Sequence, residues 1–206
     1  MGMGVQASLP PYAHLQKEAV QCIAQASVRY EVPELLLHSI LMKEGGRSGQ
    51  CVSNRNRTKD CGLAQINTSW AGYFKEKYKL GFDQISQDAC TNIYVSAYIL
   101  KTNFNLKGHW FYATMAYNIG PNNWTDTRYR IGHAYASDVF ARWRGFHAYV
   151  ERNKPDLAKR AQSEGANSEQ PGLTTNESAN PQLSIIRSSG PLVAEAPSRN
   201  HERLNQ

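Results

Sequence analysis

The 206-residue sequence lacks any long hydrophobic run. Nothing approaches the ~18 uninterrupted apolar residues that a membrane helix requires, so no membrane span is expected. The start, Met1-Gly2-Met3-Gly4-Val5-Gln6-Ala7, also lacks the basic-then-apolar pattern of a secretory leader. Either the protein stays inside the cell, or a leader has been removed or replaced. There is no Cys-x-x-Cys pair, and His14, His38, His109, His133, His147 and His201 are scattered without ligand spacing. No metal site and no cofactor are therefore expected. No Lys/Arg block or interleaved aromatic-basic motif is present, which argues against nucleic acid as a partner. Alternating strand patterns are missing too, which argues against a β domain.

What is present begins with four cysteines, Cys22, Cys51, Cys61 and Cys90. An even number without zinc spacing points to two disulfides and an oxidising compartment. Three pairings are possible, and the spacing does not choose among them. The net charge of +6 is unevenly distributed. Residues 156–206 carry five basic and six acidic groups, so the first 155 residues hold the whole positive excess. A basic domain suits an anionic polymer, although a solvated basic surface aiding solubility explains the charge equally well.

The composition changes near Pro155. The expected organisation is a flexible N-terminus over 1–11, a helical catalytic domain over 12–154 and a low-complexity tail over 155–206. Beyond Lys159 the chain is rich in Ser, Asn, Gln, Pro and Gly, and 160–206 reads as mostly disordered for want of apolar area to bury. Within the domain, helical spacing predicts helices over about 14–30, 33–44, part of 67–79, 87–104, 109–118 and 134–152. Pro33 suits the first position of the second helix, and Gly45-Gly46 its end. The segment from Gly45 to Asp60 reads as loop.

One carboxyl group stands out. Counting back three, four and seven positions from Glu44 reaches Leu41, Ile40 and Leu37, all apolar. Glu44 therefore extends the buried stripe of its helix, in the last turn where the helix dipole presents its negative end. Both features disfavour the charged form, so its pKa is expected to rise, as a general acid requires. The alternative is a structural Glu paired with Arg47, Arg55 or Arg57.

The run Asp60-Cys61-Gly62-Leu63-Ala64-Gln65-Ile66-Asn67 resembles the Gly-Leu-Met-Gln-Ile segment of lytic transglycosylases of the soluble-lytic-transglycosylase type. Asn54-Arg55-Asn56-Arg57-Thr58-Lys59-Asp60 resembles the Asn-Arg-Asn-Gly-Thr-x-Asp loop of the small members associated with type IV secretion, conjugation and pilus machines. Ala116-Tyr117-Asn118-Ile119-Gly120 resembles that family's Ala-Tyr-Asn-Ala-Gly, and Cys90-Thr91-Asn92-Ile93 its Cys-Thr-Asn-Ile. The pieces occur in the family's order over about residues 20–122.

The resemblance implies a lysozyme-like (goose-type/transglycosylase) domain, which agrees with the mainly α reading; the disordered C-terminal tail is read from composition. It implies disulfides Cys22–Cys90 and Cys51–Cys61, and a periplasmic location with peptidoglycan glycan strands as partner. A secretion, conjugation or pilus apparatus is the further partner it suggests. Glu44 takes the place of the catalytic carboxyl, while Gln65, Tyr117 and Asn118 take substrate-binding places. Two positions depart from the pattern. Gly45 stands where the family has Ser, which bears on orientation of the acid, and Ala64 replaces the motif's Met in the pocket wall.

The implied reaction cleaves a β-1,4 glycosidic bond with one protein carboxyl and closes a 1,6-anhydro ring without consuming water. Asp60 as a second catalytic carboxylate would instead make a lysozyme-like hydrolase. A turn or capping role for Asp60 is the competing reading. A third reading, a non-enzymatic wall-binding or assembly factor, draws on Gly45 and the polar tail.

Overall fold

The computed structural model describes residue 15 and residues 17–166, with side chains described at 15 and 19–154. Both the N-terminal segment 1–11 and most of the expected tail, 167–206, lie outside the described residues. Among those described there are seven α-helices: α1 (Lys17–Tyr30), α2 (Glu34–Glu44), α3 (Ala71–Tyr78), α4 (Phe82–Gln87), α5 (Ala89–Lys107), α6 (Trp110–Ile119) and α7 (Asp126–Ala166). The mainly α expectation holds. No helix among them is long and apolar enough to cross a membrane.

Helix α5 is the centre of the packing. All ten residues from Thr91 to Leu100 are buried, which is the pattern of a helix enclosed on every side. Asp88 caps its start by accepting from the Thr91 amide at 2.6 Å. Helices α1 and α6 flank it, α7 packs on α6, and α2 lies against α7 and α1. A tyrosine cluster fills the space among α1, α3 and α5, with Tyr73, Tyr78 and Tyr98 at ring-centre distances of 5.9–6.2 Å. Tyr78 meets Tyr73 and Tyr98 edge-on, and such packing adds to the burial of large rings.

Helix α2 begins one residue later than expected. Pro33 is its cap, and the Pro33 carbonyl accepts from the Leu36 and Leu37 amides. Its end follows the glycine signal: Gly45 takes the left-handed conformation (φ 61°) and donates to the Leu41 carbonyl.

The loop expected up to Asp60 contains a small antiparallel sheet. Strand β1 (Cys51–Ser53) pairs with β2 (Lys59–Cys61) in the register Cys51↔Cys61, and β2 pairs with β3 (Ile66–Asn67). Strands of two and three residues are too short to display an alternating pattern. The last helix also differs from the expected 134–152. It starts at Asp126 and continues through Pro155 to Ala166. Pro155 removes one helix hydrogen bond, but the helix formers Leu157, Ala158, Lys159 and Ala161 follow it. Residues 160–166, the first part of the segment read as mostly disordered, thus continue the helix.

Both disulfides implied by the resemblance are formed. Cys22–Cys90 joins α1 to the first turn of α5, with Cα atoms 5.3 Å apart, and Cys51–Cys61 spans the hairpin at 4.2 Å.

Candidate functional site

Glu44 ends the apolar face of α2, below the buried Leu37, Ile40 and Leu41. Its side chain is half-buried rather than open to solvent. It is directed across the seam to α7, where the Tyr135 hydroxyl donates to Glu44 Oε1 at 2.6 Å. Tyr135 is 91 positions away in the chain, and no local sequence signal links the two.

A second tie lies beside the first. Lys43 Nζ meets Asp138 Oδ2 at 2.5 Å, and Arg142 Nε lies 3.2 Å from Asp138 Oδ1. Asp138 follows Tyr135 by three positions, so both reach α2 from one face of α7. Burial alone would raise the Asp138 pKa. The Lys43 ammonium and Arg142 guanidinium outweigh it and hold the carboxyl below its ordinary value.

Facing the end of α2 is the turn 62–65. A Cβ added to Gly46 would lie 2.0 Å from the Gly62 carbonyl oxygen and 2.6 Å from Gln65 Nε2, so only glycine permits this approach. Gln65 is buried in a left-handed conformation (φ 49°), and its side-chain amide donates to the Gly62 carbonyl at 2.9 Å. Its Nε2 thus caps the backbone of the turn. Asn92 clamps the same turn from α5: its Oδ1 accepts from the Ala64 amide at 2.7 Å, and its Nδ2 donates to the Cys61 and Ile85 carbonyls.

Tyr117 and Ala64, given substrate-binding places by the resemblance, both lie beneath the surface of the turn. Tyr117 is 0% exposed, and its hydroxyl donates to the Ala64 carbonyl at 2.9 Å beside Ser96 Oγ at 3.0 Å. With its single hydrogen committed to a carbonyl, it holds the 62–65 turn from behind rather than presenting a ring to solvent. Ala64 is equally buried, so it contributes backbone rather than pocket wall. Asn118, one residue past Tyr117 near the end of α6, is half-buried. Sequence reading singled out neither Tyr135, Asp138 nor Asn92 as a site residue. The Cys-Thr-Asn-Ile run contains Asn92, and its place there was the only available signal.

Asp60 is 0% exposed, and its carboxylate accepts from Asn54 Nδ2 at 3.1 Å and Asn67 Nδ2 at 2.8 Å. Thr58 Oγ1 joins the same group through Asn54 and Asn67. The carboxylate thus pins the hairpin loop to β3, as buried charges must be hydrogen-bonded. In that loop Arg57 has φ 67°, at the position where the motif it resembles carries Gly.

A cavity of about 580 Å³ opens behind the end of α2, with Ala19, Leu41, Met42, Arg47 and Leu63 among its walls. The Glu44 carboxylate points the other way, to α7, so the cavity and the carboxyl lie on different sides of the helix.

Residues 21–137 match the model of the family described as "Transglycosylase SLT domain". The chain is also similar to "Protein IpgF" of Shigella flexneri, 28% identical over 135 residues that cover 64% of this chain and 85% of the relative. "Protein IpgF" of Shigella sonnei matches to the same extent. The matched family segment runs from the first helix through Glu44, the clamped turn and Tyr117 to Tyr135. The chain thus belongs to the transglycosylase SLT domain family, and its helical domain is the lysozyme-like fold of those peptidoglycan-acting proteins.

Proposed function

We propose that the protein is a peptidoglycan lytic transglycosylase in which Glu44 transfers the proton. The observation that carries the reading is the position of Glu44: at the end of a buried stripe, half-exposed, and fixed by the Tyr135 hydroxyl at 2.6 Å. A catalytic acid needs both a shielded carboxyl and a defined direction for its proton. Glu44 would give its hydrogen to the glycosidic oxygen as the bond from N-acetylmuramic acid C1 to N-acetylglucosamine breaks. The muramic acetamido oxygen would hold the electron-poor C1. Glu44, now a carboxylate, would take the proton of the C6 hydroxyl as O6 bonds to C1 and displaces the acetamido oxygen. The product is a 1,6-anhydromuramic end, and no water enters.

The burial of Asp60 supports chemistry with one carboxyl, because a carboxylate committed to two amides and closed to solvent is poorly suited to act on C1. Asn118, half-buried near the end of α6, is proposed to bond sugar hydroxyl or acetamido groups, with Gln65 Oε1 as a second contact. The resembling loop 54–60 and Cys90–Ile93 segment support local wall opening in the periplasm for a secretion, conjugation or pilus apparatus.

The test is digestion of purified sacculi by wild type and Glu44→Gln, with products read by mass. Anhydro ends, one water lighter than reducing ends, are expected from wild type. Glu44→Gln should lower turnover by about 100- to 10,000-fold while keeping the melting temperature. Undiminished activity in that variant would remove Glu44 from the chemistry, and reducing ends would make the enzyme a hydrolase.

A further inference from the structure

The surface where α6 begins and α7 starts carries a row of rings that the chemistry at Glu44 does not use. Tyr112 on α6 and Tyr129 on α7 are 41% and 40% exposed, high values for such large side chains. Trp124, in the connection between the two helices, stands between them. Its ring centre is 6.4 Å from that of Tyr112 and 6.3 Å from that of Tyr129, with planes inclined by 44° and 62°. The indole is fixed in place, because Nε1 donates to the Gly120 carbonyl at 2.7 Å. Arg128 bonds the neighbouring Ile119 carbonyl. Both contacts end on the residues directly after Asn118, so the row is anchored to the segment that supplies the site. Beside it, the Lys107 ammonium lies 4.1 Å from the centre of the Trp124 ring.

Rings left in water forgo the stabilisation that burial gives, and a cluster of them signals a ligand. A sugar ring is amphipathic: one face is a patch of C–H groups, and the hydroxyls run round its edge. Tyr and Trp match that division, with an apolar face and a polar tip. They are also stiff, so little side-chain freedom is lost on contact. Successive units of a β-1,4-linked strand are turned relative to one another, and a row of rings with inclined planes can meet successive units in turn. Lys107 adds a positive charge that suits the carboxylates of the lactyl-peptide stems.

We propose that Tyr112, Trp124 and Tyr129 form an accessory glycan track, with Lys107 beside it as the contact for stem carboxylates. It would hold a peptidoglycan strand apart from the bond being cleaved. The inference rests on the reading of the protein as a peptidoglycan enzyme, but its test does not depend on Glu44 chemistry.

The full chain carrying Glu44→Gln leaves strands intact and serves as the parent for binding. Sedimentation with purified sacculi and titration with a neutral N-acetylglucosamine tetramer are the two readouts. Tyr112→Ala with Tyr129→Ala should weaken both by about tenfold at unchanged melting temperature. Lys107→Gln should weaken only sacculus binding, by about threefold, and flatten its dependence on salt. Parental binding of both ligands by the double tyrosine variant would overturn the track. Loss with sacculi but not with the tetramer would also overturn it, since the rings would then serve the stems or a protein rather than the glycan. If the parent itself digested sacculi at the wild-type rate, the reading of Glu44 would fail while the binding comparison still stood.

Discussion

The two sides of the candidate site are held in opposite ways. The turn 62–65 is locked: Asn92 makes three hydrogen bonds to carbonyl and amide groups around it, Tyr117 holds Ala64 from behind, and all these side chains are buried. The seam between α2 and α7 is lighter. There a half-buried Glu44 meets the Tyr135 hydroxyl, and an ion pair about one-third exposed runs alongside. A buried polar network left partly unsatisfied is costly, so the turn is fixed at a single geometry. Under the proposed function Glu44 would exchange its hydrogen with substrate, and the Tyr135 hydroxyl would aim it without enclosing it.

Variants that disturb the locked side should act on stability first, and those at the seam on turnover first. The largest effect is expected from Gly46→Ala. Its Cβ would meet a backbone oxygen that no side-chain rotation can move, so a loss of about 3 kcal/mol in chemical denaturation is expected. Tyr117→Phe would leave the buried Ala64 carbonyl without its hydroxyl donor, at about 1–3 kcal/mol. Activity should follow the folded fraction. Tyr135→Phe should reverse that order: less than about 1 kcal/mol in stability, but a roughly 10- to 100-fold fall in kcat as the carboxyl loses its aim. Equal losses of stability and kcat in this variant would erase the distinction between the two sides.

The smallest effect belongs to Asp138. Its folded pKa is lowered, so its stabilising contribution is present above the ordinary carboxylate pKa and is lost as pH falls through the lowered value. Because the pair is about one-third exposed, Asp138→Asn should remove only about 0.5–1 kcal/mol at neutral pH. Melting curves of variant and wild type should converge on acidification below the usual carboxylate range.

Much of this was legible in the sequence wherever the signal was local. The apolar residues at 37, 40 and 41 placed Glu44 at the end of a buried face, and Gly45 marked the end of α2. Resemblance supplied both disulfide pairings, which spacing had left open. What failed to show was of two kinds. The three short strands were too brief to carry a period, and their register is fixed by a disulfide and by Asp60. The partner of Glu44 comes from a helix 91 positions away, and contacts between distant segments leave no trace in either segment alone. Tyr117 shows a related limit: the motif marks it as necessary, but its burial and its bond to the Ala64 carbonyl could not be read from the motif.

The Cys22–Cys90 bridge closes a ring of the chain 68 positions long. By chain entropy such a closure is worth about 4 kcal/mol, against about 3 for the ten-residue hairpin loop. Glu44 and the 62–65 turn are both inside that ring, whereas Tyr117 and Tyr135 are outside it. Oxidation therefore shortens the range of separations that the end of α2 and the 62–65 turn can explore in the unfolded chain. In a reducing compartment that closure would be lost, and Glu44 and the facing turn would be held together by packing and hydrogen bonds alone.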